Sequence, residues 1–188
     1  MITLGVIADT HVPDRARAVP PEALEIFRQA GVAAILHAGD VIRPSVLTTL
    51  EAIAPTYAVR GNRDWYFLRR LPSRRVLQFE GVRVGMCHGH GSFRRYLGDK
   101  WEHFRRGAPP FARFAYRALA AFPQVDVVVF GHTHYPVCRW VGIQLLCNPG
   151  SPVVPALPGV PRAVGLLHIN GRTVWGELRV LGQAQVEV

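Results

Sequence analysis

The first sixty residues alternate between short apolar runs and helix-like segments, and few folds accommodate that order. ITLGVIA (2–8) is β-branched, short and closed by polar residues, as a buried strand is. PPEALEIFRQAG opens on two prolines, carries Leu24, Ile26 and Phe27 at helical spacing, and ends on Gly31, so it predicts a helix with a glycine stop. VAAILHAG is the next strand, PSVLTTLEAIA the next helix, halted by Pro55, and TYAV a third strand. Strand and helix in turn, joined by short connections, require right-handed βαβ units and a parallel sheet.

The second half changes pattern. RRVLQFEGVRVGMCHG predicts a hairpin about Glu80-Gly81, and VDVVVFG (125–131) a strand buried on both faces. VCRWVGIQLLC and RAVGLLHINGRTVWGELRVL are two further hairpins, the latter turning at Asn170-Gly171. The expectation is a mixed, two-sheet α/β architecture in one domain over 1–188, with no internal repeat and no domain-dividing linker. PVVPALPGVP (152–161) reads as a surface loop or edge segment.

The 188 residues suffice for one well-buried core. No apolar run approaches the roughly 18 residues that cross a bilayer, and no signal pattern follows Met1, so a cytoplasmic protein without membrane contact is expected. Twenty-two basic residues, all but Lys100 arginine, stand against thirteen acidic ones. That balance favours anionic partners such as phosphates, although a general preference for arginine explains it as well. Cys87, Cys138 and Cys147 lack CxxC spacing and are expected as free thiols, with Cys138 and Cys147 facing each other across a hairpin near Gly142.

Five clusters of possible metal ligands directly follow predicted strands: Asp9 and His11 in ADTH, Asp40 in HAGD, Asn62 in RGNRD, His88 in CHGHG, and His132 with His134 in GHTH. Carboxyl ends of strands in an open α/β sheet share one edge, so the clusters should meet. Singly, each has a bland explanation as a helix cap, a core histidine or a turn. Together, two carboxylates, one amide oxygen and four imidazoles are enough for two ions if one carboxylate bridges, and Asp40 is the natural bridge. Mixed oxygen and imidazole donors suit Mn, Fe, Ni, Co or Zn better than Ca or Mg, with Mn²⁺ the first expectation.

This set resembles the calcineurin-like metallophosphoesterase superfamily, whose blocks run D-x-H, G-D, G-N-H-D/E, H-G and G-H-x-H. Order and strand context match from residue 9 to residue 134. The short chain and the NPGS at 148–151 resemble its small bacterial and archaeal branch of YfcE-type phosphodiesterases. The resemblance implies a four-layer α/β/β/α sandwich and a dinuclear site. Asp9, His11 and His134 would hold one ion, Asn62, His88 and His132 the other, and Asp40 would bridge. It also implies hydrolysis of a small phosphodiester or nucleotide-like substrate by a metal-bridging hydroxide, between ions about 4 Å apart.

The third block departs from the superfamily's usual pattern, with Arg63 where histidine follows the asparagine. A guanidinium cannot be a general acid at neutral pH, which leaves His90 or water for that role. Arg63 either stabilises phosphoryl charge or merely pairs with Asp64 and faces solvent. Between the fourth and fifth blocks lies an arginine-rich, aromatic insert (92–122), expected as two helices capping the site. Phe93, Tyr96, Leu97, Trp101 and Phe104, and likewise Phe111, Phe114, Ala115, Ala118, Leu119 and Phe122, fall at helical spacing, which favours packing faces over a nucleic-acid surface. Two rival functions remain: a metal-binding scaffold of the same fold, like the superfamily's retromer subunit, and a nuclease or RNA-processing enzyme using the insert. Retention of all seven ligands argues against the scaffold. A homo-oligomer is compatible with the exposed hairpins.

Overall fold

The computed structural model describes residues 1–91 and 111–182. Its strands are β1 (Ile2–Ile7), β2 (Ala34–His37), β3 (Thr56–Ala58), β4 (Arg74–Phe79), β5 (Val82–Cys87), β6 (Val127–Val129), β7 (Val137–Val141), β8 (Gln144–Asn148), β9 (Ala163–Asn170) and β10 (Thr173–Val180). Its helices are α1 (Pro21–Gln29), α2 (Pro44–Glu51) and α3 (Phe111–Ala121). The expected strand and helix order is borne out, and both α1 and α2 start on a proline, where the missing amide costs nothing.

One sheet runs β10-β9-β1-β2-β3 and the other β4-β5-β6-β8-β7. Both are mixed. In the first, β1, β2 and β3 are parallel, while β9 pairs antiparallel with β1 and β10. In the second, β5, β6 and β8 are parallel and the edge strands β4 and β7 antiparallel. The sheets face each other across one core cluster that includes Leu4, Val6 and Leu36 of the first with Val84, Met86 and Val129 of the second. The outer face of the first sheet packs on α1 and α2 through Phe27, Val46 and Leu50. The outer face of the second packs on α3 through Phe114, Ala118 and Phe122. These are the four layers of an α/β/β/α sandwich, and strands buried on both sides explain the near-continuous apolar runs of β1, β2 and β6.

Of the insert, residues 92–110 lie outside the described residues, as does the first of its two expected helices. Phe114, Ala118 and Phe122 do form the packing face expected of the second, and they are buried. Cys138 and Cys147 sit opposite each other in the β7–β8 ladder, and both thiols are free. Among the described residues no helix is long and apolar enough to cross a membrane.

Candidate metal centre

The five clusters converge as expected, because the carboxyl ends of β1, β2 and β3 in one sheet abut those of β5 and β6 in the other. Asp9, His11 and His134 offer ligand atoms that all lie within 4.8 Å of one another, and so do Asp9, Asp40 and His88. Asp9 Oδ1 is 3.4 Å from His134 Nε2, 3.8 Å from His11 Nε2 and 3.9 Å from His88 Nε2. Asp40 turns Oδ1 toward His88 Nε2 at 3.4 Å and Oδ2 toward His11 Nε2 at 3.8 Å, one oxygen to each half of the cluster. Asn62 Oδ1 lies 3.1 Å from His88 Nε2. His132 stands at the rim, its ring centroid 5.1 Å from that of His88 and 4.8 Å from Phe114 of α3. His90 adds a ring 5.4 Å from His88.

The backbone is strained where the ligands sit. Asp9, His11, Asp40, His132 and His134 all adopt positive φ, joined among described non-glycine residues only by Ile42 and Glu80. Such conformations cost on the order of 1 kcal/mol each and persist where the surroundings over-determine them. Glycines create the room: a Cβ at Gly61 would collide with Asp40 Oδ1, and one at Gly39 would lie 2.7 Å from His88 Nδ1. The Asp9 turn is tied to the GHTH loop, since the His132 amide donates to Asp9 Oδ2 at 2.8 Å.

Supporting residues emerge that local sequence did not reveal. Asp64 is buried and does not pair with Arg63; it accepts the amides of Asp40 (3.0 Å), Ile42 (2.7 Å) and Gly61 (2.8 Å). Arg63 instead pairs with Asp14, Nη1 to Oδ2 at 3.0 Å, while its amide donates to Asp40 Oδ1 at 2.8 Å. Asn148 donates to Gly131 O and Thr133 Oγ1, bracing the GHTH loop. Ser151 Oγ donates to Asp9 O at 2.8 Å and accepts the amides of Val153 and Val154. Asn148 and Ser151 belong to the NPGS stretch noted above, but nothing local in the sequence singled out their contacts or those of Asp64 and Asp14.

His37 is buried beside the Asp40 turn. Its Nδ1 accepts the Gly39 amide, so the neutral ring carries its proton on Nε2 and donates to Thr10 Oγ1 at 3.1 Å. His168, away from the site, bonds Thr3 and Glu177.

Electrostatics follow from two carboxylates and several imidazoles in one largely buried cleft. Burial alone would raise Asp9 and Asp40, but the adjacent His134 and His88 hold both below the ordinary carboxylate range. Burial opposes protonation of His88, yet Asp40 and Asp9 lift it to about 10, and Asp9 likewise raises His134. Burial drives His132 down to about 3 and His90 to about 4, with the charge on His88 acting the same way. The two carboxylates thus demand positive charge among them.

These residues fit divalent cations. Asp9 Oδ1 is buried without a hydrogen-bond donor among the described residues, and His11 Nε2 and His134 Nε2 face each other at 3.1 Å. Two aromatic nitrogens and an unpartnered carboxylate oxygen aimed at one space form a donor set for a transition-metal ion.

A family profile described as the calcineurin-like phosphoesterase superfamily domain matches residues 2–172. A probable metallophosphoesterase of Methanothermobacter thermautotrophicus is 38% identical over 175 residues, covering 93% of this chain and 90% of the relative. The phosphodiesterase YfcE of Escherichia coli K12 is 30% identical over 165 residues, 77% of each chain. Among solved structures, Vps29 of Entamoeba histolytica in complex with zinc superposes with a TM-score of 0.71 at 22% identity, covering 99% of this chain and 96% of that one, and so shares the fold. A profile spanning most of the chain, and relatives aligned over 77–90% of their length, place this protein in the calcineurin-like phosphoesterase superfamily.

Proposed function

We propose that the chain is a phosphodiesterase working with two divalent metal ions, Mn²⁺ foremost, with Ni, Co, Fe or Zn as alternatives. The carrying observation is the convergence of Asp9, Asp40, His11, His88 and His134, with Asp40 directing one oxygen to each side and Asp9 Oδ1 left without a donor. When bound, divalent cations supply Lewis acidity toward phosphoryl oxygens and acidify water for in-line attack. Relatives named as metallophosphoesterases and as a phosphodiesterase support the same chemistry.

The chain's own residues bind, orient and neutralise. Asp9, His11 and His134 would hold one cation and Asn62, His88 and His132 the other, with Asp40 placed to serve both. Arg63, paired with Asp14 and close enough for its charge to act on His11, offers a fixed positive charge to the non-bridging oxygens of the phosphodiester. His90, held near 4 and pushed further down by any neighbouring cation, is neutral at pH 7. It therefore donates a hydrogen bond rather than a full proton, and water protonates the leaving group. Good leaving groups, such as aryl oxides, should be favoured.

Metal analysis of the purified protein, joined to turnover of bis(4-nitrophenyl) phosphate with Mn, Ni, Co and Zn, tests this reading. Bound metal and metal-dependent release of nitrophenolate are expected. Neither metal nor turnover across the four ions would leave only a scaffold of the same fold.

A further inference from the structure

Cys138 of β7 and Cys147 of β8 are direct cross-strand partners, so their side chains share the face of the second sheet that is turned to the first. The Cys147 carbonyl accepts the Phe130 amide at 3.0 Å on the β6 side of the strand, which makes Cys138–Cys147 a non-hydrogen-bonded position of the β7–β8 ladder. The Cα atoms of such pairs approach to about 4.5 Å, within the roughly 4.4–6.8 Å that a disulfide spans. Two glycines of the facing sheet leave room for the sulfurs: a Cβ at Gly176 would lie 2.5 Å from Cys138 Sγ, and one at Gly165 3.6 Å from Cys147 Sγ. The buried Cys147 thiol donates a hydrogen bond to Cys138, which lowers the Cys138 thiol and raises that of Cys147. Cys138 is half-buried, and the third thiol, Cys87, sits on β5, two strands from β8.

The pair is tied to the GHTH loop from two sides. The Cys147 carbonyl holds the amide of Phe130, two residues before His132. Asn148, the residue after Cys147, donates Nδ2 to Gly131 O at 2.9 Å and to Thr133 Oγ1 at 3.0 Å. Both ties leave β8 at its carboxyl end and reach the loop that carries His132 and His134. A bond between the two sulfurs would draw that end of β8 toward β7, and a packed interior passes such a shift to whatever is fastened to it.

We propose that Cys138 and Cys147 are a redox site, oxidised by peroxide to a cross-strand disulfide that weakens metal binding through the GHTH loop. The coupling rests on the metal-centre reading above; the disulfide does not. Hydrogen peroxide transfers one oxygen to Cys138 Sγ, the more accessible sulfur, giving a sulfenic acid and one water. Cys147 Sγ then attacks that sulfur, its proton leaves with the hydroxyl as a second water, and the S–S bond forms. The two thiols lose two electrons and the peroxide O–O bond is reduced.

The test treats the metal-free full chain with equimolar hydrogen peroxide, removes the oxidant, and reads the product twice. Intact mass and peptide mapping should show the loss of two hydrogens and a link between the Cys138 and Cys147 peptides, with Cys87 still alkylatable. Calorimetric Mn²⁺ titration of the oxidised chain should show affinity about tenfold below that of the reduced chain, the effect of disturbing one support behind a ligand loop. Dithiothreitol should restore it. Cys138→Ser should bind Mn²⁺ like the reduced wild type before and after peroxide. Oxidation without a 138–147 link would overturn the redox site. An unchanged Mn²⁺ affinity in the linked chain, or a peroxide-induced loss that persists in Cys138→Ser, would overturn its coupling to the loop. A reduced wild type that takes up no metal would instead count against the metal centre, and the redox site would then stand or fall on the 138–147 link.

Discussion

His134 donates its Nδ1 proton to the carbonyl of Val154 at 2.8 Å, which fixes its Nε2 toward Asp9 and His11. His88 is clamped the same way by Ala38 O at 2.8 Å. A backbone carbonyl behind an imidazole sets the tautomer and aims the other nitrogen, the usual support of a metal-binding histidine. Val154 is in turn held by Ser151, whose hydroxyl accepts its amide and donates to Asp9 O.

Ser151→Ala removes that tie from both ends. Its loss should lower metal affinity by about 10–100-fold. It should also cost about 1–3 kcal/mol in the metal-free protein by leaving buried amides unpaired. Calorimetric Mn²⁺ or Zn²⁺ titration and urea unfolding read the two effects separately. Unchanged affinity with reduced stability would make Ser151 a purely structural residue.

Asp64 holds three amides around a loop in which Asp40 and Ile42 both adopt positive φ. Asp64→Ala strands those donors and should destabilise the fold by about 3 kcal/mol or more. Asp64→Asn keeps one acceptor oxygen and should fall between wild type and Ala in the same urea series. Equal stability of all three chains would show that water reaches these amides.

His37 supplies a pH dependence that can be separated from the metal centre. Burial depresses its imidazole to about 3, whereas the unfolded chain protonates it near 6.5. The neutral ring is therefore favoured by folding. Its contribution is complete above about pH 6.5 and is lost progressively as pH falls toward 3. Between pH 7 and pH 5 that amounts to about 2 kcal/mol for one such group. Urea unfolding of metal-free wild type and His37→Gln at several pH values should show the shallower acid slope in the variant. Matching slopes would mean that the folded chain protonates His37 at ordinary pH.

Arg63→His exchanges a permanent charge for a group able to release a proton. The rate on alkyl diesters, which have poor leaving groups, should rise by up to about 10²-fold, with far less change on nitrophenyl esters. Leaving-group series for the two chains would measure this as a flatter dependence in the variant. An unchanged series would remove position 63 from the proton path.

Much of this molecule was readable along the chain because its determinants are local. Apolar runs of strand length, prolines opening helices, and a glycine beside nearly every strand-end ligand depend only on near neighbours, so β1 to β3, α1 and α2 follow directly. The seven candidate ligands were legible because each lies just past a strand, and parallel strands bring their ends to one edge.

Contacts between residues remote in sequence were decided only by strand order within each sheet and by the stacking of the two sheets. Asp64 is 24 residues from Asp40, and Ser151 is 142 residues from Asp9. Asp14 and Arg63 are separated by 49 residues, so the alternative of a pair with neighbouring Asp64 gave way to a distant one. Asp64 points inward because three unpaired amides need its carboxylate more than the guanidinium, which remains half in water. Sequence by itself determined the order of elements and the identity of the candidate ligands. Tertiary structure alone decided what orients those ligands, because buried polar groups pair with whatever partner the packed layers bring within hydrogen-bond reach.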